Sequence, residues 1–169
     1  LLTDRLTGIP NREAVVRRIE DRIIEHRRRG DSHPFAVLFV DLNGFKAIND
    51  RWGHELGDRV LIEYARRLTE NLEQAGMAAR YGGDEFMVLL EEVSGRKSAM
   101  QTRERLEVAL KLPLQLPETD GQEFWEMRQG GTIGLALCPD DGYDVETLVK
   151  SADADMYQRK IARPASIDA

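Results

Sequence analysis

Residues 11–29 place Val15, Ile19 and Ile23 four positions apart, with Val16 and Ile24 beside them. That is a helical period, and it predicts an amphipathic helix with one apolar stripe turned to a core. Asn11 stands where a capping side chain is wanted, behind the turn Thr7, Gly8, Ile9, Pro10. Arg17, Arg18, Arg22, Arg27, Arg28 and Arg29 fall mostly off the stripe and read as a solvated face, with Gly30 as the stop. Residues 34–42 break the period. Phe35, Ala36, Val37, Leu38, Phe39 and Val40 are continuously apolar and end in Asp41. A run without alternation predicts a central strand covered on both faces, and the carboxyl end of such a strand is where α/β sheets place ligands.

A short helix over 44–51 follows and ends at Gly53; a longer one over 55–71 turns Val60, Leu61, Tyr64 and Leu68 inward. Residues 77–81 and 86–90 are two short apolar runs on either side of Gly82, Gly83, Asp84 and Glu85. They predict a tight hairpin, in which the glycines supply positive φ and let the backbone lie close to a phosphate or a metal ion. Asp84 and Glu85 then sit at the tip of a rigid arm, where adjacent carboxylates want either solvent or a cation. Taken alone, the hairpin reads as a solvated turn. A helix over 98–110, strands over 122–128 and Gly131–Cys138, and a closing helix over 144–161 complete the chain. Leu106, Ala109 and Leu110 are the inward positions of the first helix; Val145, Leu148, Val149, Ala152 and Met156 are those of the second.

The 169 residues suffice for one domain with a core, and 41% hydrophobic with 32% charged is a soluble, globular balance. No apolar run approaches bilayer length and no secretory pattern opens the chain. The single cysteine, Cys138, excludes an internal disulfide and reads as a buried thiol. A net charge of −6 argues against a nucleic-acid partner, though not against one nucleotide, because bound Mg²⁺ and a few lysines reverse the local sign.

Five stretches carry a resemblance: DRLTGIPNR at 4–12, DLNGFKAIND at 41–50, GHELGD at 53–58, RYGGDEF at 80–86, and ADADMY at 152–157 with Lys160 beyond it. In this order they resemble the GGDEF domains, the diguanylate cyclases of bacteria, over residues 4–160. The implied fold is α+β, an α/β sandwich: a central mixed, largely antiparallel five-stranded sheet flanked by helices, the ferredoxin-like palm of nucleotide cyclases. The implied reaction joins two GTP molecules into cyclic di-GMP and releases two pyrophosphates, with Mg²⁺ (or Mn²⁺) as cofactor and a homodimer as the working unit. The chain, opening on Leu1 in a linker-like run, is expected to be one catalytic domain, 1–169, of a longer sensor protein. It is expected in the cytoplasm, without membrane contact of its own, although a full-length protein could be tethered.

The resemblance also assigns roles. Asp41, the backbone carbonyl of Leu42, Asp84 and Glu85 would hold metal. If the second arm of the hairpin pairs antiparallel with the first strand, Asp41 and Asp84 meet at one sheet end, as a Mg²⁺ site requires. Asp84 would also accept the proton, with Glu85 beside it. Lys46 would face the phosphates and stabilise the transition state; otherwise it is a surface lysine. Asn49 and Asp58 would read guanine, since a carboxylate accepts from its N1–H and exocyclic amine; both also stand near helix ends, where they would cap. His54 would touch base or ribose, or be structural. Phe45 would line the substrate site, and Gly82 and Gly83 would give N–H groups to phosphate. Lys160 would reach the terminal phosphates, or act as a helix C-terminal cation. Departures are Asn43 where the family often has Asp, Arg163 in place of a later arginine, and Glu73 and Gly76 where many members carry the Arg and Asp of a product-binding site.

Overall fold

The computed structural model describes residues 1–30, 32–73, 76–115, 126, 127 and 129–163. In chain order the elements are α1 (Arg12–Arg29), β1 (Phe35–Leu42), α2 (Phe45–Trp52), α3 (His54–Glu70), β2 (Gly76–Arg80), β3 (Glu85–Leu90), α4 (Arg96–Lys111), β4 (Leu114–Gln115), β5 (Glu126–Met127), β6 (Gly131–Cys138) and α5 (Val145–Ala162). The sheet runs β2-β3-β1-β6, with β1 in its interior as its unbroken hydrophobicity predicts. Every pairing in it is antiparallel.

The expected largely antiparallel, helix-flanked sheet is present, with four strands rather than five among the described residues. The expected strand over 122–128 enters this picture only as β5, which pairs with β4 in a separate two-stranded ribbon. Among the described residues β4 and β5 share two residue pairs. The remaining positions of that expected strand lie outside the described residues.

Period-two alternation along β1 feeds two cores. Ala36, Leu38, Val40 and Leu42 face Phe45, Ile48, Val60, Leu61, Tyr64 and Leu68 of α2 and α3, with Leu106 and Leu110 of α4. Phe35, Val37 and Phe39 face Val15, Ile19 and Ile23 of α1 and Leu148, Ala152 and Met156 of α5. The result is a sheet with helices on both sides. Helix α5 crosses β6 in backbone contact at Gly134: a Cβ there would stand 2.0 Å from Ala152 O and 2.2 Å from Met156 N. This close approach sets where the C-terminal turns of α5 arrive.

Arg22 corrects the solvated-face reading of α1. It is 1% exposed, donating from Nε to Glu91 O at 2.7 Å and from Nη2 to His33 O at 2.8 Å, with its guanidinium 5.0 Å from the Phe35 ring centre. Arg67 is buried in the same manner, giving its N–H groups to Leu112 O at 2.6 Å and Pro113 O at 2.8 Å and so closing the end of α4.

Candidate active site

Asp41 is the penultimate residue of β1 and Glu85 begins β3, and the two are direct partners in the β1–β3 register. Asp84 precedes Glu85, and its carbonyl accepts from the Leu42 N–H at 3.3 Å. The expected convergence of Asp41 with the hairpin acids is therefore present, produced by antiparallel pairing of the hairpin's second arm with β1.

The hairpin is built differently from the expectation. Neither Gly82 nor Gly83 has positive φ. A Cβ on Gly82 would stand 2.7 Å from Glu85 Oε1, the free end of a side chain that can turn aside; Gly83 has open space around it. The N–H groups of Tyr81 and Gly82 both donate to Glu85 O, at 2.8 and 3.1 Å. The Gly82 N–H is thus turned into the hairpin rather than toward a phosphate, which leaves Gly83 as the hairpin's candidate donor.

Arg80 fastens the hairpin from below. Its Nη2 donates to Gly83 O at 2.9 Å and its Nε to Gly82 O at 3.2 Å. Its Nη1 lies 3.3 Å from Asp4 Oδ1. Asp4 also accepts from Thr7 N at 2.9 Å and Thr7 Oγ1 at 2.7 Å, so the N-terminal turn is a self-bonded wedge under the acids. Burial alone would raise the Asp4 pKa; the Thr7 hydrogen bonds and Arg80 outweigh it and hold the carboxyl below its ordinary range.

The acids themselves are short of positive charge. Burial, then the Asp41 charge, pushes the Asp84 carboxyl up, against Lys160, which pulls it down. Burial, then Asp41, Asp84 and Asp153, pushes Glu85 up, with Arg12 opposing. Lys160, near the end of α5, is ion-paired with Asp41. Arg12 lies 4.3 Å from the Tyr81 ring centre, and Tyr81 packs edge-on against Phe39 at 5.5 Å. Asp153 and Arg12 are additions to the expected site residues. Asp153 lies seven positions before Lys160, two helical turns along α5, and that spacing is the signal the sequence offers for it.

Among the described residues no three carboxylate, imidazole or thiolate groups converge into an all-protein metal cage. Mg²⁺ does not require one: it is commonly bound by one or two carboxylates, with waters and substrate phosphates completing the octahedron. Asp84, whose ionisation the Asp41 charge opposes, and Asp41, to which an ammonium is drawn, have the donor chemistry that fits such an ion.

The expected base-recognition residues lie apart, on the α2–α3 elbow. Gly53, at φ +88°, ends α2 by donating to Asn49 O at 2.8 Å and begins α3. Phe45 is buried and Asn49 half-buried on α2, while Lys46, His54 and Asp58 are exposed. Neither Lys46 nor His54 forms an ion pair with the acids among the described residues. Asn43 is structural. Its Nδ2 donates to Gln129 O at 3.2 Å and its Oδ1 accepts from Thr132 Oγ1 at 2.9 Å, tying β1 to the start of β6.

The family described as "Diguanylate cyclase, GGDEF domain" matches residues 1–164. Among curated proteins, the chain is 43% identical over 159 residues to the bifunctional diguanylate cyclase/cyclic di-GMP phosphodiesterase MucR of Pseudomonas aeruginosa, covering 94% of this chain and 22% of that protein. It is 36% identical over 159 residues to the diguanylate cyclase TpbB of the same species, covering 93% of this chain and 34% of that one. The chain thus spans between about a fifth and a third of these relatives' length. The crystal structure of the GGDEF domain of PA1120 (YfiN or TpbB) from Pseudomonas aeruginosa superposes with a TM-score of 0.85 at 33% identity, covering 95% of each chain. On its motifs, its fold and these likenesses, the chain belongs to the GGDEF diguanylate cyclase family.

Proposed function

We propose that this domain condenses two GTP molecules into cyclic di-GMP, with Mg²⁺ or Mn²⁺ as cofactor and two chains facing each other. Each chain would present one nucleotide. The 3′-hydroxyl of one attacks the α-phosphate of the other, the bond from that phosphorus to the bridging oxygen breaks, and pyrophosphate leaves. Asp84 takes the hydroxyl proton. Asp41, the Leu42 carbonyl, Asp84 and Glu85 hold the metal, which when bound supplies charge neutralisation at the phosphates and lowers the hydroxyl pKa.

The side chains divide the remaining work. Lys46, at the N-terminal end of α2, and Lys160 meet phosphate charge, and the Gly83 N–H adds a donor. Asn49 and Asp58 pair with the guanine edge, with Phe45 behind Asn49 and His54 at the ribose or base. ATP would leave their hydrogen-bonding groups unpaired, which is the basis for choosing GTP. The relatives' greater length fits a domain joined to an upstream sensor, working on the cytoplasmic side; no helix among the described residues is long and apolar enough to cross a membrane.

The observation that carries this reading is the β1–β3 register, which sets Asp41 opposite Glu85 and beside Asp84. The test is incubation with GTP and Mg²⁺, with pyrophosphate and a cyclic dinucleotide measured together. Both products are expected. Saturable GTP binding without either would make the domain a nucleotide-sensing module instead.

A further inference from the structure

Asn49 Oδ1 is buried and has no hydrogen-bond partner among the described residues. A buried carbonyl oxygen left unpaired is costly, so something other than bonding keeps the amide in place. What it faces is Gly57, in the first turns of α3. A Cβ built on Gly57 would stand 1.9 Å from Asn49 Oδ1, 3.0 Å from Asn49 Cγ and 3.3 Å from Phe45 Cζ.

Gly57 does not have positive φ, so its backbone conformation is open to any residue. Its N–H is bonded to Gly53 O at 3.2 Å, in helical fashion. Glycine inside a helix is disfavoured relative to alanine, so helix formation gives no reason for it here. Space is the reason that remains. The bare Cα leaves a notch on α3, and the Asn49 amide from α2 is seated in it.

We propose that Gly57 is a positioning residue for Asn49: the notch holds the amide in one rotamer against α3 and so fixes how Asn49 meets the base of the bound nucleotide. With the oxygen seated in the notch, the amide nitrogen is the group turned to meet the ligand. Any side chain at 57 displaces the amide and with it the base contact. This assignment rests on the reading of Asn49 as a guanine contact.

A double-mutant cycle tests it, with Gly57→Ala, Asn49→Ala and the double variant measured two ways: affinity for a non-hydrolysable GTP analogue with Mg²⁺, and thermal midpoint without nucleotide. Gly57→Ala alone is expected to weaken binding by roughly tenfold, the scale of one misplaced hydrogen bond, and to narrow the preference over the ATP analogue. In the Asn49→Ala background the same change is expected to alter affinity less than about twofold, since no amide remains to displace. The midpoint is expected to fall in Gly57→Ala and to recover in the double variant. Should the single variant fail to fold while the double one folds, the steric assignment stands. Additive losses in both readouts, or a double variant that also fails to fold, overturn it, because a contact other than Asn49 then dictates the glycine. A coupled midpoint together with unchanged analogue binding in Asn49→Ala overturns it through its premise: the notch is then real, but Asn49 does not read the base.

Discussion

Lys160 on α5 is ion-paired with Asp41 at the end of β1, across 119 positions of sequence. This ammonium occupies the carboxylate that the proposed metal needs. Lys160→Met removes the cation that pairs with Asp41 and draws the Asp84 carboxyl down. The pair is partly exposed, so its loss is expected to cost about 1 kcal/mol, a fall of roughly 2–4 °C in midpoint for a domain of this size. Mg²⁺ should then raise the midpoint of the variant more than that of the wild type, where it competes with the ammonium. Calorimetry in chelated and Mg²⁺-loaded buffer measures both; an equal shift in the two proteins would mean that ammonium and metal do not compete.

The Asp4–Arg80 pair makes a different claim, about the support under the hairpin. Asp4→Asn keeps the shape but weakens acceptance from Thr7 and removes the charge facing Arg80. A loss of about 1 kcal/mol is expected, as for a capping side chain. The folded-state pKa of Asp4 is lowered, so its contribution is present above the ordinary value of 3.8 and disappears as pH falls through the lower, folded value. Urea titrations should therefore show the gap between wild type and variant near neutrality and its closure in acid below that value. A gap that is constant across this window would assign the loss to packing instead.

How much is legible in the sequence varies from residue to residue, for physical reasons. The stripe of α1 and the unbroken run of β1 are period signals, and both elements form where the pattern puts them. The capping of α1 by Asn11, accepting from Ala14 N at 3.0 Å, is equally local. Arg22 escapes such a reading because its charge suggests exposure; yet it lies three positions beyond Ile19, on the same stripe, and its Nε and Nη2 donate to carbonyls that only the tertiary fold brings near. The hairpin glycines invite an explanation by conformation, yet neither has positive φ, and a Cβ on Gly82 would meet only the Glu85 side chain. Asp41 and the hairpin acids can be brought together only by a topological step, from antiparallel pairing to a shared sheet end. The roles of those acids come from the family's motifs, which no periodicity contains.

Gly134 connects packing to the site. Its missing Cβ lets the α5 backbone lie on β6. Gly134→Ala drives a methyl group against Ala152 O and Met156 N, backbone atoms that no rotamer change can move aside. Overpacking of this kind costs roughly 1–3 kcal/mol. Displacement of α5 also carries Lys160 off Asp41, so turnover is expected to fall further than the folded fraction does. Activity per folded molecule, from turnover normalised by circular dichroism, is the check; a loss wholly explained by unfolding would break the link between Gly134 and the site.

Glu73 and Gly76 stand where the family's product-binding arginine and aspartate are expected, and they line a cavity of about 220 Å³ with Arg105, Ser94 and Ser98. An acid and a residue without a side chain offer no fork for a phosphate. At Gly76 a Cβ would already stand 3.2 Å from Leu72 Cβ and 3.3 Å from Glu73 O, so the missing aspartate has no ready place. Initial rates are therefore expected to be unaffected by added cyclic di-GMP. Strong inhibition that disappears on changing Glu73 would show that this cavity binds product by other means.

Asp84→Asn separates chemistry from folding. Burial first and Asp41 second raise the folded-state pKa of Asp84, so ionising it works against the fold. The sign follows: stability from this group is complete below the ordinary value of 3.8 and is lost as pH rises through the elevated folded value. Asparagine is nearly isosteric and never ionises. Without metal at pH near 7, the variant is thus expected to melt no lower than the wild type, and the two should converge below about pH 4. With GTP and Mg²⁺, the same variant should lose turnover by a factor of at least about 10², the scale for removing a proton acceptor. Mg²⁺ should also stabilise it less than the wild type, since one ligand oxygen has lost its charge. Turnover at the wild-type rate would remove Asp84 from the mechanism, and a large drop in midpoint without metal would show that its charge supports the hairpin rather than straining it.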